Sequence, residues 1–300
     1  MKVNRLILDL AAFKLEQDSK KRHKHDVIEE KYQKYRNIPY LSDDNIKHMY
    51  DVYVSDENER KNICIIDIHG GAYMFGSKNN NYNFGMHFVK RGFDFVSVDY
   101  MPNKRKRETK DMISDCLLSI KHLYEHRKDY GIENDIFAIT GDSAGGHMAL
   151  LISELLENNE LATSLNLPIC DLKPICTLVN CPAYDYSTLG EGIMSDSARR
   201  RMFGKNISEE YMKKFSPKTY IDDFKLPLFL SSCKNDFIGF ESQKLDEDMK
   251  KKDNFYKYCF IDSDNPGVDH VHNVSKPNLE ESKQVNDEMI SFILDVVNRK

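Results

Sequence analysis

Residues 136–156 read IFAITGDSAGGHMALLISELL. The apolar, β-prone run IFAIT at 136–140 predicts a short buried strand, and the residues from Gly145 onward predict a helix. Between them, Gly141 to Gly145 have the spacing G-x-S-x-G. A serine at so sharp a strand-to-helix turn has to adopt a strained backbone. Neighbours without side chains are needed for that turn to close. The hydroxyl is then lifted above the sheet edge, at the positive end of the following helix. On this reading Ser143 is a nucleophile. Two other readings compete. GDSAGGH also fits the first six positions of a phosphate-binding G-x-x-x-x-G-K-[ST] loop, but His147 stands where lysine belongs and Met148 where a hydroxyl would hold magnesium. A Gly-rich turn without chemistry is the other.

Working outward, strand-like and helix-like segments alternate along most of the chain. Strands are expected at 62–68 (NICIIDI), 93–99 (FDFVSVD), about 174–181, 226–233 and 255–261 (FYKYCFI). Helices are expected at 82–91, 109–128 and about 279–298. In the second of these, Met112, Cys116, Leu117, Ile120 and Leu123 share one face. Such alternation implies an α/β fold, a mostly parallel central sheet flanked by helices. No repeat or low-complexity linker divides the chain, so residues 1–300 are expected to form one domain. A small helical cap is expected from about 1–40 and from the polar insertion at about 184–223.

Just after the strand at 62–68 comes His69-Gly70-Gly71-Ala72-Tyr73. Acyl transfer builds negative charge on a carbonyl oxygen, which preorganised backbone N–H groups can stabilise by roughly 100- to 1,000-fold in rate each. Glycines let the main chain approach that oxygen. The N–H of Ala144, next after Ser143, would supply a further donor. An ordinary strand-ending turn is the plainer reading of HGGAY alone, but His69 precedes Ser143 by 74 residues with a strand, a helix and a strand between them.

HGGAY together with GDSAGG resembles the hormone-sensitive-lipase-like esterase branch of the α/β-hydrolase superfamily, whose members carry HGGG and GDSAGG. The resemblance runs from about residue 60 to the C-terminus. It implies Gly71 and Ala72 as oxyanion donors, with Gly70 supporting the turn. Ala72 replaces the family's third glycine, a change that bears on pocket shape more than on mechanism.

A serine nucleophile needs a base within hydrogen-bond reach and an acid that fixes the base's tautomer. Chain order in this fold is Ser, then acid, then His. Asp236 follows the strand LPLFLSSC, at the edge where such sheets hold their sites. Asp222 and Asp223 precede that strand and so fall at the wrong edge. For the base, GVDHVHNV offers His270 and His272. His270 better fits the family frame, in which an aromatic residue follows the histidine by two positions. Asp269, His270 and His272 could be imagined chelating a metal, yet no second cluster supplies the remaining ligands. No cofactor is implied.

Composition narrows the function further. With 300 residues, 40% of them hydrophobic, the chain can bury one large core. A net charge of -5 gives no reason to expect a nucleic-acid partner. No secretory signal or membrane span is read, so no membrane partner is expected. Seven scattered cysteines, an odd number, point to the reduced cytoplasm. The basic run KKRHKH at 20–25 lies among acidic residues and reads as a solvated helix face. Of Arg199, Arg200 and Arg201, at most one or two could aim inward from a helix. Tyr73 and Tyr184 are candidate walls of a substrate pocket, or aromatic core. The expected function is hydrolysis of small, short-acyl carboxylic esters through an acyl-enzyme. An amidase or small-peptide hydrolase with the same triad, and a non-catalytic binding protein on this scaffold, are the alternatives. Homo-oligomerisation is left open.

Overall fold

In the computed structural model of the chain, residues 2–23, 32–103, 107–133, 135–191 and 194–299 are described. Their apolar runs assemble into one eight-stranded sheet. In chain order the strands are β1 (Gln33–Pro39), β2 (Met49–Val54), β3 (Cys64–Ile68), β4 (Asp94–Val98), β5 (Phe137–Asp142), β6 (Pro174–Asn180), β7 (Leu228–Cys233) and β8 (Tyr256–Ile261). Across the sheet the order is β1-β2-β4-β3-β5-β6-β7-β8. β2 runs antiparallel to β1 and β4, and every other neighbouring pair is parallel.

The helices are α1 (Arg5–His23), α2 (Tyr82–Val89), α3 (Thr109–His126), α4 (Ala144–Glu157), α5 (Asn159–Ser164), α6 (Asp196–Phe203), α7 (Glu209–Lys214), α8 (Gly239–Met249), α9 (His272–Ser275) and α10 (Glu280–Asn298). Successive strand residues point to opposite faces. Ile66 and Ile68 of β3 therefore join the apolar faces of α3, α4 and α8 in one core cluster. Ile65 joins α2 and α10 in another. With both faces covered, the inner strands are mainly apolar on both faces rather than alternating, with a few buried polar residues such as Asp67 of β3 and Ser97 of β4.

The chain winds from β3 out to β4, then crosses back over β3 to β5. This reversal of winding opens a crevice at the C-terminal ends of β3 and β5, the place where open α/β sheets hold ligands. His69–Tyr73 leaves β3 at that crevice, and Ser143 leaves β5 beside it.

One boundary differs from the sequence reading. Residues 33–39, expected in the cap, pair with β2 as the edge strand of the sheet. QKYRNIP has no apolar alternation because β1 has a neighbour on one side only and is largely exposed. Of the other segments expected in the cap, α1 packs against α6. Val3 bridges to Met194, and Ser195 N–H reaches the Val3 carbonyl at 2.9 Å. The side chains of the basic run at 20–25 lie outside the described residues. Among those described, no helix is long and apolar enough to cross a membrane.

Candidate active site

Ser143 sits between β5 and α4 with φ 52° and ψ −118°, a conformation that L-residues rarely adopt. The surrounding glycines make this possible by permitting contact with backbone. A Cβ on Gly145 would lie 2.0 Å from the Ile68 carbonyl oxygen, and one on Gly141 would lie 2.4 Å from the Gly145 oxygen. The turn is held by Ser143 N–H, which donates to the Asn180 carbonyl of β6 at 2.9 Å.

Asp236 and His270 come from loops that follow β7 and β8. His270 Nε2 lies 2.9 Å from Ser143 Oγ, and its Nδ1 lies 2.6 Å from Asp236 Oδ1. Burial pushes the Asp236 carboxyl up, but the bond and charge of His270, the Ile238 N–H and the Cys181 thiol together bring it below its ordinary value. His272 turns the other way. It is buried at the start of α9, with Nδ1 2.9 Å from Ser282 Oγ of α10. The residue between the two histidines, Val271, has φ 54°, which separates their directions. Asp269 also diverges, its two oxygens bound by Lys276 Nζ at 2.7 Å.

The HGGAY turn faces Ser143. Gly71, Ala72 and Tyr73 all have positive φ, at 132°, 49° and 61°. A Cβ on Gly71 would lie 2.1 Å from the Phe75 carbonyl oxygen, so glycine is required there. Among the described residues the N–H groups of Gly71, Ala72 and Ala144 have no protein acceptor. The Gly70 N–H differs, because it donates to Asp142 Oδ1 at 2.8 Å. Asn81 Nδ2 donates to that same oxygen at 2.8 Å and to both oxygens of Asp67 at 3.2 and 3.0 Å. Burial and the nearby Asp142 charge push the Asp67 carboxyl well up, against the bonds from Asn81. Asp67, Asn81 and Asp142 thus lock the turn to the elbow. The sequence reading missed this clamp, though Asp142 lies inside the motif itself.

A cavity of about 370 Å³ opens over Ser143 and His270, with Gly70, Gly71 and Ala72 in its wall. Phe75, Phe237, Val271 and Val274 make it largely apolar. The Phe237 ring is 4.4 Å from that of His270 and 74% exposed, an aromatic at the mouth that no sequence signal flagged. Tyr73 and Tyr184 do not line this cavity, contrary to expectation. The left-handed backbone at Tyr73 turns its ring into the core, against His147, Tyr186 and Phe203. Tyr184 is buried with its hydroxyl 2.7 Å from Asp248 of α8. Nor do the three arginines reach the cavity: Arg201 pairs with Asp9, Arg200 with the Lys205 carbonyl, and Arg199 approaches Glu191. Ligand atoms of Cys181, Asp236 and His270 lie within 4.8 Å of one another, close enough to hold a metal ion. Both ring nitrogens of His270 are already engaged, one by Asp236 and one by Ser143, an arrangement suited to moving a proton.

Fold and contacts together define an α/β hydrolase with a Ser-His-Asp line at the C-terminal edge of its sheet. Residues 50–247 match the BD-FAE family model, and the chain belongs to the BD-FAE family. It is 27% identical over 180 residues to a probable carboxylic ester hydrolase, LipM, of Mycobacterium tuberculosis, covering 58% of this chain and 41% of LipM. To Lipase 2 of a Moraxella species it is 26% identical over 185 residues, or 52% of this chain and 42% of the lipase. The chain spans less than half the length of these curated relatives. Esterase B of Lactobacillus rhamnosis superposes with a TM-score of 0.87 at 21% identity, over 97% of this chain and 96% of that one, a likeness that shows the fold.

Proposed function

We propose that the protein hydrolyses small carboxylic esters, with Ser143 as nucleophile, His270 as general base and Asp236 as the acid that orients it. The observation that carries this is the unbroken line from Asp236 Oδ1 to His270 Nδ1 at 2.6 Å and from His270 Nε2 to Ser143 Oγ at 2.9 Å. Asp236, held below its ordinary pKa, stays ionised and fixes the His270 tautomer with Nε2 free to accept. Ser143 Oγ attacks the ester carbonyl as its proton passes to Nε2. The oxygen that becomes negative is received by the N–H groups of Gly71, Ala72 and Ala144. His270 then returns the proton to the departing alcohol. In the second half water attacks the acyl-enzyme, with the same base taking its proton and Ser143 recovering it. Gly70 serves the turn, not the oxyanion, since its N–H is committed to Asp142.

The volume and apolar walls of the cavity favour short acyl groups, and the LipM, lipase and esterase relatives support an ester as the substrate. The odd number of cysteines supports the cytoplasm as the compartment. The test is a p-nitrophenyl ester series from acetate to decanoate with wild type and Ser143→Ala. Activity is expected to peak at the short esters and to fall on the order of a million-fold in kcat in the variant. Equal turnover by both proteins would end the proposal.

A further inference from the structure

α1 is apolar around most of its circumference in its first three turns, RLILDLAAFKL at 5–15. One side rests on α6, where Asp9 accepts from Arg201 Nε at 2.6 Å. The side next to Asp9 faces outward. Leu6, Leu10 and Phe13, spaced i, i+4 and i+7, are 68%, 62% and 62% exposed, with Ile7 beside them at 42%. At about 100° per residue Leu6, Leu10 and Phe13 form one continuous stripe, bordered on one side by the row of Arg5 and Asp9 and on the other by Lys14, with Ile7 just beyond it. A stripe of this size contributes nothing to the fold while uncovered, and such patches mark contact surfaces.

Charge identifies what covers it. A cleft of about 330 Å³ beside α1 and α6 is lined by Arg5, Arg107, Arg200, Arg201 and Lys205. Asp9 is shared between Arg5 at 3.5 Å and Arg201 at 2.6 Å, and Asp115 holds Arg107 at 2.5 Å. Among the described residues neither Arg200 nor Lys205 has an acidic partner. An exposed apolar stripe whose Arg5 edge leads into a cleft holding the unpaired cations Arg200 and Lys205 matches a helix lying in the plane of an anionic bilayer, with acyl chains under the stripe and phosphates at the cleft.

We propose that the face formed by α1 and α6 docks on an anionic lipid surface, with Leu6, Leu10 and Phe13 at the headgroup–acyl boundary and Arg5, Arg200 and Lys205 on lipid phosphates. The sequence reading expects no membrane partner because no segment is long enough to span. A helix lying flat has no such length requirement. Docking is independent of the ester chemistry, so either can fail alone.

The experiment is co-sedimentation of the full chain with phosphatidylcholine vesicles and with vesicles that also contain phosphatidylglycerol, at low and high salt. Wild type is expected to pellet with the anionic vesicles only and to be released by salt. Leu10→Glu with Phe13→Glu should lower partitioning by roughly 100-fold, and Arg200→Glu with Lys205→Glu by about tenfold. Both double variants should keep wild-type melting and vesicle-free p-nitrophenyl acetate hydrolysis, so that lost binding reports on the surface alone. Wild type remaining in solution with both vesicles, equal binding to neutral vesicles, or unchanged binding by both variants would each overturn docking. A wild-type dimer that Leu10→Glu with Phe13→Glu dissociates, without vesicle binding, would assign the face to a second copy instead.

Discussion

Asp142 and Gly70 are joined across the crevice between β5 and β3, the Asp142 Oδ1 accepting the Gly70 N–H at 2.8 Å. The same oxygen is steadied by Asn81. Asp142 occupies the variable position just before Ser143, so one residue ties the oxyanion turn to the nucleophile. Asn81→Ala is expected to release one side of that tie, lowering kcat about 10- to 100-fold with little change in KM, because the donors slacken without leaving. Steady-state kinetics on a short p-nitrophenyl ester decide it. A rise in KM with unchanged kcat would mean that Asn81 binds substrate instead.

The glycines of the elbow should differ sharply in tolerance. A Cβ at Gly145 would press on the Ile68 and His69 carbonyl oxygens at 2.0 and 2.6 Å, which are backbone and cannot swing away. At Gly146 it would meet Pro182 Cβ at 2.9 Å, a milder conflict. Gly145→Ala is expected to lose nearly all activity and several degrees of melting temperature, and Gly146→Ala much less of both. Thermal melts and turnover of the two variants check this order.

The two neighbouring histidines should separate chemistry from stability. His270→Ala is expected to lose kcat on the order of a million-fold while folding normally. His272→Ala removes a buried ring and its bond to Ser282, costing about 1–3 kcal/mol of stability but leaving turnover within a few-fold. Urea unfolding and kinetics on both variants test the pair. A dead His272→Ala beside a live His270→Ala would reverse the assignment.

Acid sensitivity should arise from His147 together with His87 and His272, three rings whose pKa burial lowers from 6.5 to about 4. The His147 ring is fully buried, stacked on Tyr186, with Nε2 2.7 Å from the Phe215 carbonyl. Burial lowers its pKa from 6.5 to about 4, the Phe215 carbonyl opposing. The folded state therefore holds His147 neutral while the unfolded chain takes up a proton. This stability is complete above pH 6.5 and falls away toward pH 4, by about 3 kcal/mol in all. The lowered carboxyl of Asp236 adds a further loss only below its ordinary range. Urea unfolding across this range should show the decline in wild type and a flatter profile in His147→Gln. A flat wild-type profile would contradict it.

The inner sheet was legible because NICIIDI, FDFVSVD and IFAIT are buried on both faces and so carry apolar, β-prone residues at successive positions, with only a few buried polar residues such as Asp67 and Ser97 among them. β1 was not, since an exposed edge strand needs no such pattern. Ser143, Asp236 and His270 could be read from their positions after strands, where topology converges. The clamp of Asp67, Asn81 and Asp142 could not, because hydrogen bonds that close over 61 and 72 residues leave no local spacing. Tyr73 misled for a similar reason. Its place next to the oxyanion turn suggested a pocket wall, but a positive φ turns the ring into the core.

The most direct measurement is the site of covalent capture by a small alkyl fluorophosphonate, read by peptide mass mapping with and without a competing short ester. Expected is one adduct, on Ser143, slowed by the ester and absent from both Ser143→Ala and His270→Ala. Full ester turnover by a protein that the reagent leaves unmodified, or an inactivating adduct on any other residue, would contradict Ser143 as the nucleophile.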